Sequence, residues 1–385
     1  MNNFRAFSIV ILFSFILISC KNDGGKTDVN DDSDVVVASK DKIVYSFAFT
    51  GCNRVGWSVL RSQNPSMANH VALDSIFSDM MRQNPKPELF FNMGDIVRAE
   101  ANVTDTLSDQ LKAWLVDSAV VEFTRNSGIE MVALPGNHEL LQSVDEGPEY
   151  PLPGSTQVWL NYMSKFMPSD REIAPDTLSL DNRSSFSFVR DSIGFIVLNT
   201  DTYNPPATGQ TYGKEGQFPQ DWAIAKIEEF ASDPAIKQIY AFGHRPYYIK
   251  GSVPPPSDTH SGLPNAEPFW KAMSDNGVIA YLAAHKHDYQ RYQHNNQNTT
   301  QIIAGNAGSK LDHGVDPGGF YGYSLIQIYA SGKTRLITRG YCMPNRDDYL
   351  NPAAGPMKVR DTSWLNVTGN SNPLTYPYRA AACSD

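Results

Sequence analysis

The 385 residues are 41% hydrophobic, 11% aromatic and 19% charged, with 32 Lys+Arg against 41 Asp+Glu and a net charge of −9. That length and apolar content can bury a large core, which excludes disorder throughout, and an acidic balance without basic runs excludes a nucleic-acid duplex as partner. The 27 Gly and 25 Pro indicate many turns between short elements, and four cysteines, Cys20, Cys52, Cys342 and Cys383, are too few for a disulfide scaffold.

At the N-terminus Arg5 precedes an apolar run from Ala6 to Ile18, broken by Ser8 and Ser14 and ending Leu17-Ile18-Ser19-Cys20. This is a secretory signal pattern, and the run is shorter than the ~20 residues a membrane span needs. Its end resembles the bacterial lipobox. The resemblance implies a signal peptide over 1–19, acylation of Cys20 and a protein held by lipid in the cell envelope outside the inner membrane, at the outer membrane or the cell surface of a bacterium. Residues 20–42 then comprise the acylated Cys and a flexible tether, since Lys21 to Lys42 carries six Asp and four Lys and little to bury.

From Ile43 the pattern changes to apolar strands that end at polar clusters and alternate with amphipathic helices. A strand over Ile43–Thr50 stops at Gly51-Cys52-Asn53-Arg54. A helix over Ala68–Met81 leads to a strand over Glu88–Met93 and then Gly94-Asp95. A helix over Leu107–Phe123 precedes a strand over Met131–Leu134 that ends at Gly136-Asn137-His138-Glu139. A helix around Val158–Phe166 and a paired segment from Ser185 to Leu198 follow. A helix over Pro219–Phe230 comes before the strand Ile239–Phe242, which ends at Gly243-His244-Arg245. The strand Gly277–Ala283 ends at Ala284-His285-Lys286-His287, and Gln301–Ala304 and Tyr323–Tyr329 are further strands. The alternation is that of an α/β protein. No repeat or Gly/Ser linker divides it, so residues 43–345 are expected to form one catalytic domain and 346–385 a surface-wrapping extension.

Each strand end carries a side chain able to ligate a metal. His285 and His287, two residues apart, point to one side of an extended segment. Asp95 offers a carboxylate that can bridge two ions, and Asn137 a neutral amide oxygen that adds no charge against a phosphate. Imidazole, amide and carboxylate together suit Zn, Mn or Fe better than Ca. Two such ions clamp the attacking and leaving oxygens of an in-line displacement, which is the chemistry of phosphoester hydrolysis.

Gly94-Asp95, Gly136-Asn137-His138-Glu139, Gly243-His244 and His285-x-His287 resemble, in order, the motifs of the calcineurin-like metallophosphoesterases, including their purple acid phosphatase branch. The resemblance covers roughly residues 43 to 340. It implies a two-sheet β-sandwich flanked by helices (αββα) and a small phosphorylated substrate, as a phosphomonoester or diester. It also implies two metal ions (Fe, Zn or Mn). Asp95 would bridge them, Asn137, His244 and His285 would complete the second site, and His287 would belong to the first. His138 would contact the phosphate and protonate the leaving group, with Glu139 orienting it. A monomer is expected. The alternatives are a catalytically impaired binding lipoprotein of the same fold, and a phosphodiesterase acting on nucleotides or lipid headgroups.

The sequence departs from the family at the first motif, where Gly51-Cys52-Asn53-Arg54 replaces D-x-H. Cys52 is either a thiolate ligand, as in the PhoD-type alkaline phosphatases, or a small residue packed beneath the sheet. Cys342 and Cys383 are available for an envelope disulfide. Arg98 stands where purple acid phosphatases carry the Tyr that colours their iron. Arg98, Arg54 and Arg245 are candidates to bind the substrate phosphate.

Overall fold

The computed structural model describes residues 41–56, 59–99, 104–143, 149–177, 180–202, 216–249, 262–293, 298–312, 319–342 and 356–365. The signal sequence, Cys20 and Cys383 lie outside them. In chain order the elements are β1 (Ile43–Thr50), α1 (His70–Met81), β2 (Leu89–Met93), α2 (Thr104–Leu115), α3 (Ser118–Asn126), β3 (Glu130–Leu134), α4 (Asn137–Leu140), β4 (Leu141–Ser143), β5 (Glu149–Pro151), α5 (Ser155–Met163), β6 (Glu172–Ile173), β7 (Phe186–Arg190), β8 (Ile193–Leu198), α6 (Gln220–Ser232), β9 (Gln238–Gly243), α7 (Glu267–Asp275), β10 (Ala280–Ala283), β11 (Tyr289–Gln293), β12 (Thr300–Ala304), β13 (Tyr321–Tyr329), β14 (Thr334–Tyr341) and β15 (Lys358–Leu365).

Two mixed sheets result, in the orders β15-β14-β13-β1-β2-β3 and β11-β12-β10-β9-β8-β7-β6. Side-chain alternation along the strands builds the layers. On β2, Phe91 faces the opposite sheet and stacks on Phe242 with centroids 3.9 Å apart. Its neighbour Phe90 faces outward, 5.7 Å from Phe77 of α1 and 5.6 Å from Phe123 of α3. Phe47 of β1 meets Tyr240 at 4.9 Å and Phe195 at 5.4 Å across the same interface. Outside the second sheet, Ile239 and Ala241 of β9 pack with Ala223, Ile227 and Phe230 of α6 and with Phe269, Trp270 and Met273 of α7. This is the expected sandwich flanked by helices.

β1, β2 and β3 run parallel in one sheet, and β8, β9, β10 and β12 run parallel in the other. The loops leaving their C-terminal ends gather at one edge of the sandwich, the usual position for a ligand site in such sheets. Backbone hydrogen bonds join these loops to one another: Cys52 N–H to Gly94 O at 2.9 Å, Asn53 N–H to Asp95 O at 2.8 Å and Ala284 N–H to His244 O at 2.9 Å.

Two local expectations are corrected. The single helix over Leu107–Phe123 is two helices, because the Asp117 side chain accepts from Ala119 N–H and caps α3 as a separate element. Part of the extension expected to wrap the surface is β15, which pairs antiparallel with β14 and forms the edge of the first sheet. α4, α7, β4, β5, β6, β11 and β14 have no counterpart among the elements expected from the sequence.

Candidate metal centre

Loops after β1, β2, β3, β9 and β10 bring Cys52, Asp95, Asn137, His244, His285 and His287 together. Three of them hold left-handed backbone angles, with φ of 59° at Cys52, 52° at Asp95 and 64° at His285. A non-glycine residue in that region costs on the order of 1–2 kcal/mol, and strain of this kind concentrates at functional sites. Gly136 is needed for a different reason. A Cβ there would stand 2.3 Å from Asp95 Oδ1 and 2.8 Å from His244 Cε1, so the site closes only around a glycine.

His244 is fully buried, and its Nδ1–H donates to the Met93 carbonyl at 2.7 Å. That fixes the tautomer and turns Nε2 into the site. There Nε2 meets Asp95 Oδ1 at 3.3 Å, Asn137 Oδ1 at 3.0 Å and His285 Nδ1 at 3.3 Å, while His285 Nδ1 lies 3.1 Å from Asn137 Oδ1. Donor atoms around a tetrahedral ion at nitrogen–zinc bond length stand about 3.3 Å apart. Asp95 Oδ1 and Asn137 Oδ1 are acceptors, so these contacts are closed either by a ring N–H or by a shared cation. Burial disfavours a proton on His244, but the Asp95 carboxylate outweighs it and raises the imidazole above its usual pKa. That proton can serve Asp95, whereas a cation serves all four atoms. Burial pushes Asp95 up, and His244, His138 and Arg54 together hold it well below the usual carboxylate range. The donor set fits a divalent metal.

The other expected site shares Asp95. Cys52, Asp95 and His287 offer donor atoms all within 4.8 Å of one another. His287 Nδ1–H donates to Lys310 O at 2.9 Å, which leaves Nε2 as the ring's lone-pair nitrogen. Burial and the charge of Arg54 bring His287 down to about 4. Cys52 is buried and free. Its Sγ accepts the His285 N–H at 3.1 Å, and burial pushes the thiol well up. Cys342 is disulfide-bonded.

The ring of His138 is fixed by Nδ1–H to Arg98 O at 3.1 Å. Burial and Arg54 lower its pKa to about 3, so the free imidazole is neutral rather than an acid ready at neutral pH. Glu139 does not orient that ring, which corrects the expectation. Its buried carboxylate accepts from the backbone N–H groups of Asp95 (3.0 Å), Ile96 (2.7 Å), Val97 (3.0 Å) and Gly136 (2.8 Å) and so clamps the loop that aims Asp95. Burial and Asp95 raise it to about 7.

Of the three arginines expected at a phosphate, Arg54 stands at the site, 3.5 Å from Asp95 Oδ2 with its side chain 16% exposed. Arg98 is turned inward, with Nη1–H donating to Gly56 O at 2.7 Å. Arg245 is corrected: its side chain is fully buried and paired with Asp201 at 2.6 Å. Two residues were missed. Asp201 follows β8 with no motif to mark it. Asp312 accepts the His287 N–H at 3.1 Å, and only its place in the fold brings it beside the site.

A calcineurin-like phosphoesterase family model matches residues 63–289, more than half of the chain, and the chain belongs to that family. The match begins beyond Cys52-Asn53-Arg54. Among solved structures the fold is similar to a purple acid phosphatase from yellow lupin (Lupinus luteus) seeds, with TM-score 0.51 and 13% identity over 84% of this chain and 53% of that one. It is similar to PhoD, with TM-score 0.56 and 12% identity over 88% and 72%. It is also similar to a dimetal phosphatase from Danio rerio, with TM-score 0.53 and 13% identity over 83% and 99%. This chain spans about half the length of the lupin protein. No curated protein sequence matches it. Family and fold together support a metal-dependent phosphoester hydrolase in general.

Proposed function

We propose that this protein hydrolyses small phosphomonoesters or diesters with a divalent cation held by Asp95, Asn137, His244 and His285. The observation that carries the reading is that His244 Nε2, in the tautomer set by Met93, stands 3.0–3.3 Å from one donor atom of each of Asp95, Asn137 and His285. When bound, such a cation supplies Lewis acidity toward a phosphoryl oxygen and acidifies water.

The protein's own groups supply the rest. Hydrolysis takes one proton from the attacking water and needs one on the leaving oxygen. His138 is neutral when free, and its Nε2 is open because Nδ1–H is engaged by Arg98 O, so it can carry that proton between the two oxygens. Arg54 presents N–H groups to the phosphate. Glu139 holds the Asp95 loop rigid through four backbone N–H groups, so Asp95 does not reorganise during the reaction. We place the activity outside the inner membrane, on a chain tethered by lipid at Cys20, from the signal sequence and its lipobox-like end. The test is hydrolysis of aryl phosphomonoesters and diesters by residues 21–385 before chelation, after it, and after Zn, Mn or Fe is restored. Loss and recovery of turnover support the reading. No turnover under any of these conditions contradicts it.

A further inference from the structure

The two carboxylate oxygens of Asp95 face different partners. Oδ1 meets His244 Nε2 at 3.3 Å and accepts the His138 N–H at 3.2 Å, whereas Oδ2 meets Arg54 Nε at 3.5 Å. Arg54 fills the third position of Cys52-Asn53-Arg54, where D-x-H places an imidazole. Its backbone fixes it there: the N–H donates to Asp95 O at 3.0 Å, and the carbonyl accepts from Ser309 Oγ at 3.0 Å. Cys52, Asp95 and His287, the donors of the first site, lie within 4.8 Å of one another. The third position adds a charge that cannot be shed where a second cation needs a ligand.

We propose that Arg54 takes the place of the first cation, so that this chain holds a single divalent ion, on Asp95, Asn137, His244 and His285. This deepens the reading of the chain as a metal-dependent phosphoester hydrolase and rests on it. A second ion on Cys52, Asp95 and His287 would lie against a guanidinium, and like charges at that range repel strongly where water is scarce. Arg54 neutralises Oδ2 of Asp95 in that ion's stead. Its guanidinium makes no hydrogen bond to the described residues, and Nε is buried without a hydrogen-bond partner. Its planar fork of N–H groups therefore remains to receive phosphate oxygens.

The test is the metal content of residues 21–385 after loading with zinc and dialysis, together with the absorption spectrum of the cobalt-loaded protein, for the wild type, Arg54→His and Arg54→Gln. One ion per chain and no thiolate-to-cobalt charge-transfer band are expected in the wild type. Arg54→His, which restores the imidazole, is expected to hold two ions and show the band through Cys52. Arg54→Gln is expected to keep one ion and to bind inorganic phosphate at least about tenfold more weakly, the loss of a hydrogen bond to a charged group. Two ions or a thiolate band in the wild type overturn the inference and leave the hydrolase reading intact. A single ion in Arg54→His also overturns it, and no ion in the wild type overturns both.

Discussion

His244 donates a hydrogen bond from Nδ1–H to the backbone carbonyl of Met93, 2.7 Å away and 151 residues earlier in the chain. That bond sets which nitrogen faces the centre, and it joins the two sheets at the point where their loops meet. One consequence is a dependence of ion binding on acidity. Asp95 raises the pKa of His244 against the effect of burial, so below that raised value one proton must leave for each ion bound. Affinity is expected to fall about tenfold per pH unit there. His287, held at about 4, adds nothing to this slope above that pH. Calorimetric titration of the metal-free protein at several pH values checks it, and an affinity flat across the range removes His244 from the ligand set.

The proposed mechanism puts His138 on the proton path and not on the ion. His138→Ala is expected to retain the bound metal and to lower kcat by about 10²–10⁴-fold. Elemental analysis beside steady-state kinetics separates the two effects, and substantial metal loss would show that its ring is a ligand.

Glu139 acts through backbone. Glu139→Gln keeps the shape but turns an amide NH₂ toward N–H donors, leaving buried groups unpaired at a cost of about 1–3 kcal/mol. Because the loop it clamps aims Asp95, ion affinity is expected to drop about 10–100-fold as well. Urea unfolding and ion titration measure the two separately. A stability loss with unchanged ion affinity would make the clamp purely architectural.

Arg245 and Asp201 form a fully buried pair, and breaking such a pair from one side typically costs about 3–5 kcal/mol. Arg245→Met is expected to lose stability of that order and to leave KM of the folded fraction unchanged. A raised KM with unaltered unfolding would restore Arg245 as a substrate group.

Much of this candidate site is legible in the sequence because each candidate ligand lies just beyond the end of a strand. β1 was placed to the residue, and β2, β3, β9 and β12 to within one residue, since short apolar runs bounded by Gly and polar clusters leave little freedom. What the sequence hides depends on side chains meeting across the fold. Glu139 sits beside His138 in the chain yet faces Asp95, Ile96 and Val97 across a loop. Arg245 follows a ligand but turns away from it toward Asp201. β15 escaped because Lys358–Leu365 is a half-exposed edge strand in a stretch whose Asn, Pro and Tyr content reads as irregular. The break between α2 and α3 escaped because one capping side chain, Asp117, decides it.

The proposed function requires that Asp95, Asn137, His244 and His285 bind a divalent cation on which phosphoester hydrolysis depends. Its most direct test is to titrate zinc into the metal-free protein while following aryl phosphate hydrolysis, in the wild type and in His244→Ala. A rate that climbs with bound zinc and saturates is expected in the wild type, with neither tight binding nor turnover in His244→Ala. Full turnover without metal, or undiminished binding and turnover in His244→Ala, would contradict it.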